Sequence, residues 1–123
     1  MRWGGAGAEL WRVRVDLFAE PRDQRRQTNQ VAEALRSLLT ANDGDARPGI
    51  ALDQGKGVTT RPVVGLLFWV KADDVGGAAT TALDIARQAG KSAGVGPELY
   101  DVTVIPQAAV VLPNDARYPQ MPD

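Results

Sequence analysis

Hydrophobic and polar side chains alternate with a period of two along Trp11–Ala19. The odd positions form an apolar face, and the even positions carry Arg12, Arg14 and Asp16. Because successive side chains of a strand point to opposite faces, this pattern predicts a strand with one buried face and one open face. The segment Tyr100–Ile105 alternates in the same way and is predicted to be a second strand of this kind.

Two segments between these strands have the spacing of amphipathic helices, with an apolar residue every three or four positions. They are Gln24–Thr40 and Asp74–Gly94, with Asp23 and either Asp73 or Asp74 as the predicted N-caps. The predicted inner stripe of the first helix is Thr28, Val31, Leu35, Leu38 and Leu39. The predicted inner stripe of the second helix is Val75, Ala79, Ala82, Ile85, Ala86 and Ala89.

Two further strands complete the pattern. Ile50–Gln54 is short and predicted to lie at an edge, whereas Val63–Lys71 is apolar on both faces, as central strands are. The chain then reads strand, helix, strand twice, which predicts an α+β ferredoxin-like βαββαβ sandwich. Its four-stranded antiparallel sheet has the order 4-1-3-2 with both helices on one face. Ala108–Leu112 could add a short extra C-terminal strand.

The predicted organisation is one domain over residues 11–112, after a flexible lead at 1–10 and before a flexible tail at 113–123. No apolar run approaches the roughly 20 residues of a membrane helix, and Met1–Ala8 lacks the apolar centre of a signal peptide. A cytoplasmic protein is therefore expected. The abundance of Ala, Gly, Asp and Arg with few lysines suggests a GC-rich bacterial genome.

Composition excludes several common chemistries. The 123 residues include 14 basic and 15 acidic side chains, so the net charge of −1 gives no bulk attraction to nucleic acid or an anionic membrane. The chain has no cysteine and no histidine, which excludes a thiol nucleophile, a Ser-His-Asp triad and an ordinary zinc site. A carboxylate-only Mg²⁺ or Ca²⁺ site remains allowed, but no metal or cofactor is expected.

The open face of the sheet is the candidate site. The first strand would present Arg12, Arg14 and Asp16 there, and the last strand Asp101 and Thr103. The third strand would add either Leu67 and Trp69 or Leu66 and Phe68. Arginine and tryptophan are typical interface anchors, so a second copy of the chain is the expected partner, with a small-molecule ligand also open. Lys56, in a glycine-flanked loop, is a candidate for folding over a ligand.

The predicted topology resembles three groups of proteins: small-molecule sensor domains of the ACT and PII type, dimeric α+β-barrel proteins including some monooxygenases, and RNA-recognition modules. A resemblance of topology alone implies no function. Nucleic acid is not expected, because Phe68 and Trp69 are adjacent and so point to opposite faces, where they cannot both stack on bases.

The favoured interpretation is a non-enzymatic, homo-oligomeric binding or interaction module that uses the open sheet face. The alternative is a small enzyme of the dimeric α+β-barrel type, with its pocket between the sheet and a partner protomer. Without histidine, Asp16 or Asp101 would have to supply its acid–base chemistry.

Overall fold

The computed structural model describes residues 9–39, 44–53 and 59–106. Its elements in chain order are β1 (Glu9–Phe18), α1 (Gln24–Leu38), β2 (Asp45–Asp53), β3 (Thr59–Ala72), α2 (Val75–Ser92) and β4 (Leu99–Pro106). The strands form one antiparallel sheet in the order β2-β3-β1-β4. The fold is the predicted α+β ferredoxin-like sandwich. Most of the predicted lead, the Lys56 loop, the extra strand at Ala108–Leu112 and the C-terminal tail lie outside the described residues.

The core lies between the two helices and one face of the sheet. It takes the odd positions of β1, such as Val13 and Val15, and the even positions of β3, such as Phe68, all of them almost fully buried. The alternation predicted for β1 is confirmed, because Arg12 and Arg14 on its other face are exposed. None of the helices in the described part of the chain is long and apolar enough to cross a membrane.

The alanine-rich face of α2 lets this helix lie close to the sheet. Its buried residues are Ala78, Ala82, Ala86, Ala89 and Gly90. A Cβ placed on Gly90 would lie 3.1 Å from the Leu17 Cδ1 atom of β1. Two residues of the predicted stripes, Val75 of α2 and Leu38 of α1, are instead exposed. Each is the terminal residue of its helix.

The largest difference from prediction is β2, which begins at Asp45 and not at Ile50. Asp45 and Pro48, which precede the predicted start of this strand, are both paired with β3. Proline is tolerated in an edge strand, because the side that lacks the N–H can face away from the sheet. The longer β2 brings Asp45 and Arg47 onto the same side of the sheet as the predicted site residues.

The start of α1 is tied to the sheet by a side chain. Gln24 donates from Nε2 to the backbone oxygens of Gly49 and Val63, at 2.8 and 2.9 Å. Gln27, almost fully buried, accepts from the backbone N–H of Glu20 at 2.9 Å. Polar side chains at the helix start thus satisfy backbone groups that the sheet and the preceding loop leave unpaired.

Candidate binding face

The open face is the side of the sheet that faces away from the helices. The five residues that the alternation of β1 and β4 assigned to this face lie on it, and they are Arg12, Arg14, Asp16, Asp101 and Thr103. Of the two alternatives for β3, Leu67 and Trp69 lie on the open face, while Leu66 and Phe68 enter the core. The register of β1 against β3 decides this choice, because Arg12 is paired with Trp69 and Arg14 with Leu67. Directly paired residues of an antiparallel sheet share a face.

The open face is built of rows of side chains that run across the strands. The first row joins Trp69, Arg12 and Ile105. The second joins Asp45, Leu67, Arg14 and Thr103, and the third joins Arg47, Gly65, Asp16 and Asp101. Three arginines and a tryptophan are therefore neighbours on one surface, although the chain as a whole has a net charge of −1.

Arg12 has no acidic partner among the described residues. Its guanidinium carbon lies 5.8 Å from the ring centroid of Trp69, within the range of a cation–π contact. The guanidinium carries five N–H groups, and no described residue accepts a hydrogen bond from them. Arg12 is thus a cation held beside an aromatic ring, with its donors available to a bound molecule.

Arg14 and Asp16 form an ion pair that rests against a glycine. Arg14 donates from Nε to Asp16 Oδ1 at 3.2 Å, and Asp16 is only 7% exposed. A Cβ at position 65 would lie 2.8 Å from that same Oδ1 atom, so only glycine leaves room for the carboxylate. Gly65 was not predicted as a site residue. The sequence feature that indicates its role is its position inside an apolar strand, where a glycine often allows another group to approach the backbone closely.

Arg47 and Asp45 form a second ion pair at the β2 edge. Arg47 donates from Nε to Asp45 Oδ2 at 3.0 Å, and the Arg47 side chain is largely exposed while that of Asp45 is half-buried. The hydrogen bond from Arg47 lowers the pKa of Asp45 below its ordinary value, against a smaller opposing effect of burial. Neither residue is among the predicted site residues, because the predicted strand begins at Ile50 and β2 begins at Asp45. The alternation of Asp45, Ala46, Arg47 and Pro48 was the available signal.

Two adjoining grooves cross the open face. The larger has a volume of about 390 Å³ and is lined by Arg12, Arg14, Asp45, Arg47, Leu67, Phe68 and Trp69. The smaller has a volume of about 270 Å³ and extends towards β4, lined by Arg12, Val13, Arg14, Leu67, Thr103 and Ile105. Both grooves share Arg12, Arg14 and Leu67, so they meet along β1.

The other end of the open face is occupied by its own side chains. The Arg61 guanidinium lies 3.7 Å from the Phe18 ring centroid and also contacts Glu98, with nitrogen–oxygen distances of 3.2 and 3.4 Å. The rings of Phe18 and Tyr100 meet edge to face, with their centroids 5.7 Å apart. These contacts satisfy Arg61 and cover Phe18, so the accessible binding surface is the half that holds Arg12 and Trp69.

The carboxylates of the described residues on the open face do not form a candidate metal-binding group. Asp16 is engaged by Arg14, while Asp101 is exposed and accepts from the N–H of Val102 at 2.9 Å. Within residues 9–39, 44–53 and 59–106, no three acidic side chains come together as a candidate metal site. Lys56, the remaining predicted site residue, lies outside these ranges.

No protein-family model matches the chain, and no curated protein matches it. Among solved structures, the chain is similar to a phage SAM lyase in complex with S-methyl-5'-thioadenosine. The identity is 15%, the TM-score is 0.37, and the match covers 85% of this chain and 95% of that one. A likeness this weak carries no argument about a ligand or an activity.

Proposed function

We propose that the protein is a non-enzymatic binding module that works as a homo-oligomer, with the open face of one copy against the open face of another. Leu67, Trp69 and Ile105 are large apolar residues that stay partly exposed on this face. They lie among arginines, the residue type that, with tryptophan, is enriched at the centre of interfaces. The Asp16 carboxylate is engaged by Arg14, and we therefore propose no reaction for it.

The observation that carries this proposal is the third row of the open face. It has the cation Arg47 at the β2 edge and the anion Asp101 at the β4 edge. A two-fold axis that runs along the strands between two facing sheets places the β2 edge of one copy over the β4 edge of the other. Arg47 of each copy then lies opposite the partner's Asp101, which gives two equivalent contacts between opposite charges. The charge pattern is therefore self-complementary, as an isologous interface requires.

A charge exchange tests this arrangement. We expect R47D and D101R each to weaken the dimer about tenfold or more, because each places like charges opposite one another. The double variant R47D/D101R restores the opposite charges and is expected to recover the wild-type dissociation constant. The oligomeric state is measured by native mass spectrometry and analytical ultracentrifugation over a range of protein concentrations.

The matched control is R87D, which makes the same charge change at an exposed position of α2. It leaves the open face untouched and is expected to leave the dimer unchanged. The proposal fails if the wild-type protein is a monomer at the highest concentration measured. It also fails if the double variant is no more dimeric than either single variant.

A further inference from the structure

The larger groove of the open face, which we call the arginine groove, has features of a ligand site. We propose that it binds a small organic anion that carries a planar ring, with Arg12 and Trp69 as the principal contacts. This inference deepens the proposed function, since it uses the same open face. It requires the groove itself but not the second copy of the chain.

The charge of the ligand follows from the lining of the arginine groove. Three guanidinium groups line it, from Arg12, Arg14 and Arg47, against the single carboxylate of Asp45. Arg14 and Arg47 use their Nε atoms for ion pairs, and no described residue accepts from their terminal nitrogens. Arg12 has no acidic partner at all among the described residues. The unused donors point to a carboxylate or phosphate, which accepts such hydrogen bonds in pairs.

The proposal that the ligand carries a planar ring rests on the apolar residues that line the groove. The half-buried indole of Trp69 and the side chain of Leu67 form its apolar part. An aromatic ring packed against an indole gains stacking energy beyond that of apolar burial. The Arg12 guanidinium lies 5.8 Å from the centroid of the same indole, so a ring on Trp69 brings an attached anionic group next to Arg12.

The volume of the groove is sufficient for one small molecule. Its volume of about 390 Å³ lies at the lower end of the range of small-molecule sites. A stacked polynucleotide is not favoured, because Phe68, the other aromatic residue at the groove, is only 2% exposed and Trp69 alone is available for stacking there. Asp101, an exposed anion on the same face, would repel a phosphate backbone.

The test is a calorimetric titration of the full-length protein with 2-naphthoate at low ionic strength. We expect saturable binding that is at least about tenfold tighter than that of 2-naphthamide, which has the same ring without the charge. Cyclohexanecarboxylate has the charge without the planar ring and is expected to bind similarly weakly. Arg12→Ala is expected to weaken 2-naphthoate binding about tenfold or more, and Trp69→Leu is expected to reduce the preference for the planar ring.

Arg87→Ala is the matched control, since it removes an exposed arginine from α2 and is expected to leave binding unchanged. Circular dichroism and thermal unfolding are used to check that each variant is folded before its binding is compared. The inference is overturned if 2-naphthoate does not saturate, if the neutral amide binds equally well, or if folded Arg12→Ala keeps the wild-type affinity. Native mass spectrometry in the presence of 2-naphthoate distinguishes the two proposals. A dimer that does not bind 2-naphthoate contradicts only the ligand site in the arginine groove, and a monomer that binds 2-naphthoate contradicts only the proposed dimer.

Discussion

Gly65 determines where the Asp16 carboxylate lies, and through Asp16 it determines the direction of the Arg14 guanidinium. The two charged groups pack over the one residue of β3 that has no side chain. Asp16 is thereby buried next to the strand while Arg14 keeps its terminal nitrogens at the surface. The absence of a Cβ atom at position 65 therefore allows the Asp16 carboxylate to lie against β3 on the open face, between the arginine groove and β4.

We expect Gly65→Ala to lower the free energy of unfolding by about 1–3 kcal/mol, as overpacking of a filled site does. The new Cβ would lie 2.8 Å from Asp16 Oδ1, and either the carboxylate or β3 must shift. Urea denaturation measures the change. Gly96→Ala is the control, because no atom lies within 4 Å of a Cβ at that position.

A second variant shows whether the carboxylate is the cause. In a protein that already carries Asp16→Ala, the substitution at position 65 no longer meets the carboxylate oxygen. The two changes should then be non-additive, with little further loss from Gly65→Ala. Full additivity would show that the strain arises elsewhere in β3 and would contradict this account.

At the level of elements, the two helices begin with aspartates that serve different purposes. Asp74 caps α2, since its Oδ1 accepts from the N–H of Gly77 at 2.8 Å. Asp23 occupies the N-cap position of α1 but makes no capping hydrogen bond, and pairs instead with Arg26 at 2.9 Å. Arg26 lowers the pKa of Asp23, through a hydrogen bond first and charge second. The residue type predicted both caps, but only the structure shows which carboxylate reaches the backbone.

We expect Asp74→Ala to lower the free energy of unfolding by about 1 kcal/mol, the usual loss for a capping side chain. The effect should be marked here, because Gly76 and Gly77 already weaken the first turn of α2. Asp23→Ala is the matched comparison and should cost clearly less, since it removes an exposed ion pair and no cap. Urea denaturation of both variants under the same conditions decides the point, and equal losses would contradict it.

At the scale of the whole molecule, apolar side chains are exposed on both sides of the sheet. Leu67 lies on the open face, among the arginines. Ile50 is 73% exposed and lies on the other side of β2, paired with Pro62. The proposed function assigns a partner to the first surface and none to the second, which makes the two residues a matched pair for a test.

We expect the melting temperature of the wild-type protein to rise with protein concentration, because dimer formation stabilises the folded state by mass action. Leu67→Arg should remove this dependence, since under the proposed two-fold axis Leu67 faces the partner's Arg14 and the substitution places like charges opposite one another. Ile50→Arg should retain it. Differential scanning calorimetry over a wide concentration range measures both. Loss of the dependence in Ile50→Arg alone would move the interface to the β2–β3 hairpin and contradict the proposal.

The sequence by itself determined the element order and the two faces of β1. A period of two requires only that each strand bury one side, so Arg12, Arg14 and Asp16 could be assigned together without knowledge of the sheet. The same alternation assigned Asp101 and Thr103 on β4. The predicted strand order is also confirmed, because the handedness of each β-α-β unit leaves few ways to connect these elements.

Tertiary structure alone decided what lies next to these residues. β3 is apolar on both faces, so only its register with β1 could choose Trp69 over Phe68 for the open face. The strand pairing of Pro48, the place of Arg47 beside the groove and the contact of Asp16 with Gly65 all depend on residues far apart in the chain. Local patterns set which side of an element a residue occupies, whereas its neighbours are set by pairing across the sheet.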